Sequence, residues 1–222
     1  VTQAQDLEKS LLWKISGNGL GKPSYLYGTI HVACEVNLDD NVKKAFDETS
    51  QLYLEIDMDD PNMTTKMMAG MNMKNNEKLT NLYSEEDAVL VDDFLTKNLG
   101  ISIEMLNTMK PFVLNTMVLP MLLDCPMKSV EEELMNISKN QKEEILGLET
   151  VEEQLAIFDE IPYKSQANDF LKSVKSNLVF EKEEIKKMLE IYNNQDIEAL
   201  MKLINESDKE MMTKYDDILL TK

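Results

Sequence analysis

The sequence predicts an α/β fold: a small mixed β-sheet core with a large helical insertion and a helical C-terminal part. Three observations lead there. Two short runs flank a glycine-rich turn near the N-terminus, a third run, QLYLEIDM, alternates cleanly, and from about residue 60 onward helical spacing dominates. The 222 residues are enough for a substantial buried core, and 43% apolar with 29% charged residues is ordinary for a globular chain. No stretch rich in Pro, Gly or Ser divides the sequence and no repeat is evident. The expected organisation is therefore a single domain over residues 1–222, with residues 61–140 as a helical insertion that caps the sheet.

Taken in order, residues 1–10 read as a polar lead-in. Leu11 to Ser16, LLWKIS, reads as a strand, and Gly17-Asn18-Gly19 with Gly21-Lys22-Pro23 marks a turn. Ser24 to Val32 then reads as the second strand of a hairpin. Asp39-Asp40 caps a short helix through Phe46. In Gln51 to Met58, Leu52, Leu54, Ile56 and Met58 point one way and Tyr53, Glu55 and Asp57 the other. Asp60-Pro61 is a helix start with proline at the first helical position, and Ser84-Glu85-Glu86-Asp87 opens another. Lys110 to Leu123 is an apolar helix around Pro120. Ser129 with Glu132 and Thr150 with Glu153 have capping-box spacing, and EILGLE, Glu144 to Glu149, lies between them as a fourth strand. From Tyr163 onward the pattern is amphipathic helix with breaks near Phe180, Asn193-Asn194 and Ser207.

Charge and composition exclude several functions. There are 41 acidic against 23 basic residues, a net charge of −18, and no basic stripe, so nucleic acid is not the expected partner. The longest apolar stretch, FVLNTMVLPMLL from Phe112, is interrupted by Asn115, Thr116 and Pro120 and is too short for the roughly 20 apolar residues of a membrane span. No secretory leader stands at Val1, so the protein is either cytosolic or begins after a removed leader. Cys34 and Cys125 lack metal-site spacing. They read as free core thiols or as one bridge in an oxidising compartment.

Candidate chemistry lies where apolar strands end in polar side chains. The second strand ends at His31, the only histidine. The third carries Glu55 and the fourth ends at Glu149. In layered α/β folds ligands bind outside the carboxyl ends of strands. A histidine and two carboxylates gathered there suit a divalent metal or acid–base catalysis. Each also has a plainer reading: His31 as a structural core histidine, Glu55 as part of a solvated strand face, Glu149 as a helix-start carboxylate favoured by the dipole. Met63, Met67 and Met71, with Met68 and Met73 nearby, read as adaptable core packing or as a lid, a self-association face or a peptide-binding groove.

Several segments together carry a family resemblance: LLWKIS…PSYLYGTIHV (Leu11 to Val32), LYLEID (Leu52 to Asp57), MKPF (Met109 to Phe112) and GLETVEEQLAIFDEIP (Gly147 to Pro162). In this order they resemble the TraB/PrgY/GumN family, to which Tiki-type metalloproteases are related. The resemblance implies an α/β core with a helical insertion. For the Tiki branch it implies a metal-dependent peptidase using Mn- or Co-like divalent ions. The family's first Gly-x-x-His maps onto Gly28 and His31, and its strand glutamate and later glutamate onto Glu55 and Glu149. Glu131, in SVEEEL, aligns with a frequent acidic position. The family pattern continues with an Arg-Asn pair and a second Gly-x-x-His. Lys222 falls about where that Arg-Asn would begin, so the histidine pair is expected to be incomplete in this sequence.

The function expected from these readings is a metal-dependent hydrolase acting on peptides or proteins. His31, Glu55 and Glu149 would be metal ligands, Glu55 and Glu149 would serve in catalysis, and the metal would bring a bound water's pKa toward about 7. The alternative is a non-catalytic module that captures peptides in the manner of pheromone binding, or haem or metal ions. Bacterial members often carry secretory or lipoprotein leaders, so a periplasmic, cell-surface or secreted location is expected.

Overall fold

Glycine at positive φ makes the first turn. Gly17 (φ 93°), Asn18 (φ 50°) and Gly19 (φ 84°) sit in backbone conformations that glycine and asparagine tolerate best. They reverse the chain between two short antiparallel strands. The computed structural model describes residues 8–206 and 214–215. Residues 1–7 of the expected lead-in and the expected break near Ser207 lie outside the described residues.

In chain order the elements are β1 (Leu12–Ile15), β2 (Ser24–Tyr27), α1 (Asp40–Glu48), β3 (Gln51–Ile56), α2 (Met63–Gly70), α3 (Glu85–Leu99), α4 (Pro111–Val118), α5 (Val130–Gln141), β4 (Glu144–Glu149), α6 (Val151–Glu160), α7 (Tyr163–Lys175), α8 (Val179–Asn193) and α9 (Ile197–Asn205). Short 3₁₀ turns lie at Leu79–Leu82, Ile103–Leu106 and Leu119–Leu122. The mixed α/β class is as the sequence predicts. Among the described residues the strands form two separate two-stranded sheets, β1 with β2 and β3 with β4, in place of one sheet with a shared edge.

The chain forms two compact units. Among the described residues the first comprises 8–58, Leu123–Leu148 and Ile185–Glu206; the second comprises Asp59–Leu122, Glu149–Glu184 and 214–215. In the first unit Leu12 lies opposite Tyr27 and Ile15 opposite Ser24. Leu12, Tyr27 and Leu52 pack with Val42 and Phe46 of α1 and Val130 and Leu134 of α5. Asp39 caps α1 by accepting the amides of Asn41 and Val42, as its position ahead of the helix predicts. The second strand is shorter than expected. It stops at Tyr27, and residues 28–32 run on as irregular chain to His31.

The second unit is helical. Leu79, Val91, Leu95, Leu114, Phe170 and Leu178 are essentially excluded from solvent and share one core. Helix α2 begins at Met63, two residues later than Pro61 suggests, because Asp60 takes the Asn62 amide (2.8 Å) and shapes a turn first. Pro120 is accommodated by a shift from α4 into 3₁₀ geometry.

The MKPF segment has a structural explanation in this unit. Lys110 is only 2% exposed, and its ammonium donates to Asp159 Oδ1 (2.8 Å) and to the Leu155 carbonyl (2.9 Å). Asp159 also binds Lys74 (3.0 Å) and accepts from the Tyr163 hydroxyl (2.6 Å). Burial pushes the Asp159 carboxyl up, but these donors outweigh it and hold it below its ordinary value. Beside it the buried Gln166 donates to the carbonyls of Phe158 and Ile161 and accepts the Phe112 amide. A buried charge is tolerated only when paired and hydrogen-bonded in this way.

Candidate functional site

His31 is held by its chain neighbours. The Tyr192 hydroxyl of α8 donates to the Gly28 carbonyl (3.0 Å) at the start of the loop. Two residues past His31, Ala33 pairs with Lys128 in an isolated antiparallel bridge, with bonds of 3.2 and 2.8 Å. Cys34 is joined to Cys125 by a disulfide, so of the two readings left open for the cysteines the structure has the bridge. The bridge and the disulfide bind the His31 loop to the segment that leads into α5.

That tether decides which acidic residue meets the imidazole. Ser129 caps α5 by accepting the Glu132 amide (3.2 Å), which is the forward half of the expected capping box. Its own hydroxyl donates to Glu131 Oε2 (2.8 Å). The other oxygen, Glu131 Oε1, lies 3.0 Å from His31 Nδ1. Glu131 is thus satisfied from both sides although its side chain is only 11% exposed. Burial pushes its carboxyl up. The bonds from His31, its own amide and Ser129 outweigh that and bring it from 4.5 down to about 2. The bond from Glu131 in turn raises the His31 pKa above 6.5, against an opposing desolvation effect.

Glu55 comes from β3, where Leu54 is buried and Tyr53 and Glu55 face outward, as the alternation predicts. Its Oε2 lies 3.8 Å from His31 Nε2, and both side chains are more than half exposed. The imidazole therefore stands between two carboxylates, one buried and hydrogen-bonded, one at the surface. With Nδ1 donating to Glu131, the neutral ring carries its lone pair at Nε2, on the Glu55 side.

The structure brings His31 and Glu55 together within the first unit. Glu149 belongs to the second unit, where it is exposed at the end of β4, next to Thr150. Thr150 and Glu153 form the full capping box that opens α6. Among the described residues no group of three or more His, Cys, Asp or Glu side chains is placed to hold a metal ion. Catalytic metal sites usually use about three protein ligands. The set at His31 offers the ring nitrogen Nε2 and Glu55, with Glu131 already committed behind the ring, so these residues do not make a complete metal shell.

Two contributors were not in the expected site. Glu131 was marked only by its alignment, and its signal is the pair of cysteines that flank both segments: Cys34 follows His31 by three residues and Cys125 precedes Ser129 by four. Tyr192 had no distinguishing signal, being one apolar-face position in a helix. Burial raises its phenol pKa, and it is hydrogen-bonded to the half-buried Tyr27 hydroxyl.

A family model, described as the TraB/PrgY/gumN family, matches residues 11–222. No curated protein and no solved structure matches the chain. No helix among the described residues is long and apolar enough to cross a membrane.

Proposed function

Because the chain belongs to the TraB/PrgY/gumN family, we propose that it is a hydrolase of peptides or proteins whose reacting groups are His31 and Glu55. The observation that carries this reading is the His31 imidazole set between Glu131 at 3.0 Å and Glu55 at 3.8 Å. Glu131 fixes the ring tautomer and stabilises the imidazolium. His31 takes a proton from an attacking water at Nε2 and returns it to the leaving amine, and Glu55 accompanies the charge that forms there. The reading rests on the first unit and gives Glu149 no role.

A divalent ion of the Mn or Co type belongs to this proposal only as an ion that His31 Nε2 and Glu55 would hold. With an incomplete shell, no step is assigned to it. The disulfide supports an oxidising location, periplasmic or at the cell surface, since such bridges persist there and are rare in the cytosol.

The test is cleavage of a peptide library by the chain, with and without added Mn²⁺ or Co²⁺, beside His31→Ala and Glu55→Gln. Loss of about 10²–10⁴-fold in rate in His31→Ala is expected for a proton-transferring group. Equal cleavage by the parent and His31→Ala ends the reading. The incomplete metal set favours a second reading, capture of a peptide without cleavage. Saturable peptide binding that is indifferent to chelators and to His31→Ala supports it.

A further inference from the structure

The two outer edges of the β1–β2 hairpin are chemically unlike. Gly28 donates its amide to the Leu11 carbonyl (2.9 Å), which makes Leu11 and Gly28 a hydrogen-bonded pair. Such pairs alternate along an antiparallel ladder. With Leu12 opposite Tyr27, the bonded pairs are therefore Leu11/Gly28, Trp13/Leu26 and Ile15/Ser24. The backbone groups of Leu12, Lys14, Tyr25 and Tyr27 point away from the ladder. On the β1 side, Ser10 satisfies Leu12, one of the two outward-facing residues: its Oγ accepts the Leu12 amide (3.1 Å) and donates to the Leu12 carbonyl (2.8 Å). On the β2 side the described residues place no third strand.

From this asymmetry we propose that the outer edge of β2 receives an extended peptide by strand addition, and that Tyr25 and Tyr27 supply its main-chain bonds. The inference rests on the peptide reading of the His31 site and names how a substrate would be presented to it. From Tyr27 the chain reaches His31 in four residues, a span of at most about 14 Å. A peptide strand paired with Tyr25 and Tyr27 and continuing past Tyr27 therefore runs on beside the segment that leads to His31.

The side chains define the occupant further. Leu26 of β2 is 60% exposed and shares its face of the hairpin with Ile15 of β1 (49%), so an apolar side chain of an added strand rests against Leu26. The chain's net charge is −18, and the exposed Glu55 stands at the His31 end. A peptide of alternating apolar and cationic residues has the matching period and charge.

The probe is an octapeptide of alternating lysine and valine, added to the intact, oxidised chain. Amide hydrogen exchange followed by NMR is expected to show new protection at Tyr25 and Tyr27 and none at Leu12, whose amide Ser10 already holds. The same peptide N-methylated at alternate residues is expected to bind about tenfold more weakly, as is the parent peptide to Tyr25→Pro. Unchanged affinity of the N-methylated peptide, or protection confined to other segments, reduces the interaction to charge attraction and overturns the proposal. Protection of Tyr25 and Tyr27 that rises with protein concentration in the absence of peptide assigns the edge to a second copy of the chain and also overturns it. Failure here is separable from failure of the hydrolase reading. A peptide that adds to β2 but is never cut retains the edge and loses the enzyme, and one that is cut with Tyr25 and Tyr27 unprotected does the reverse.

Discussion

His31 Nδ1 and Glu131 Oε1 lie 3.0 Å apart although 100 residues separate them in the chain. Their pairing makes stability depend on pH in a definite direction. The His31 pKa is raised above 6.5, so its contribution is complete below 6.5 and is lost as pH rises through the folded-state value. The Glu131 pKa is lowered from 4.5 to about 2, so its contribution is complete above 4.5 and is lost as pH falls through about 2. The pair therefore contributes most between 4.5 and 6.5. Urea unfolding of the parent and His31→Ala, with chelator present, is expected to differ more at about pH 5.5 than at about pH 8.5. A difference that does not vary with pH would falsify the charged pairing.

Reduction of Cys34–Cys125 is expected to act on both stability and the site. The bridge closes a loop with a sequence separation of 91. Chain entropy alone assigns such a loop about 4–5 kcal/mol, an upper figure because reduced chains retain structure. The bridge also anchors the His31 loop beside α5, so in the reduced chain the His31 pKa moves back toward 6.5. Denaturant titration and an NMR pH titration of the single histidine measure the two effects. An unchanged histidine titration after reduction would show that the Ala33–Lys128 pairing suffices.

Lys110 tests the buried ion pair of the second unit. Lys110→Ala leaves the half-buried Asp159 without its nearer cation, and breaking a buried pair costs about 3–5 kcal/mol. Asp159 keeps Lys74 and Tyr163, which places the expected loss at the lower end of that range. Lys110→Met, which keeps most of the buried volume, combined with Asp159→Asn is expected to be markedly milder. A double variant as damaged as Lys110→Ala would mean that packing, not charge, sets the cost.

Gly70→Ala opposes two effects of known sign. Helix propensity favours alanine by about 1 kcal/mol. A Cβ at Gly70 would come within 2.5 Å of Leu155 Cδ1 and 3.1 Å of its Cβ, where α2 meets α6. Overpacking of this kind costs about 1–3 kcal/mol. A net loss is expected, read as a lower thermal midpoint. A gain would show that Leu155 can turn aside freely.

Much of the local structure is legible in the residues. QLYLEI and EILGLE are strands from period and composition, with β4 occupying Glu144–Glu149 as expected. Asp39, Ser84, Ser129 and Thr150 all cap helices with their side chains. The break expected near Phe180 falls at Ser176–Leu178, where Asn177 and Leu178 take positive φ. Leu178 accepts that conformation while only 2% exposed, because its burial offsets the backbone cost.

What the sequence left open depended on long-range pairing. A strand's period does not name its neighbour, so the separation of β1–β2 from β3–β4 could not be read from the residues. The end of β2 at Tyr27 is likewise set by partners: past Gly28 the chain is held by Tyr192 and Lys128 in place of a continued ladder. Of the candidate site, His31 and Glu55 were legible as polar residues at the ends of apolar runs. Glu131 was not, because three consecutive glutamates in SVEEEL look alike until the cap at Ser129 fixes which one turns inward.

The covalent link between Cys34 and Cys125 decides what a single proteolytic cut can release. All of β3 and the whole stretch from Asp59 to Leu122 lie inside the ring it closes. A protease that nicks an exposed turn anywhere in that span frees no fragment. The two pieces travel together until a reductant separates them, so a single cut leaves the mass intact on a non-reducing gel and splits it on a reducing one.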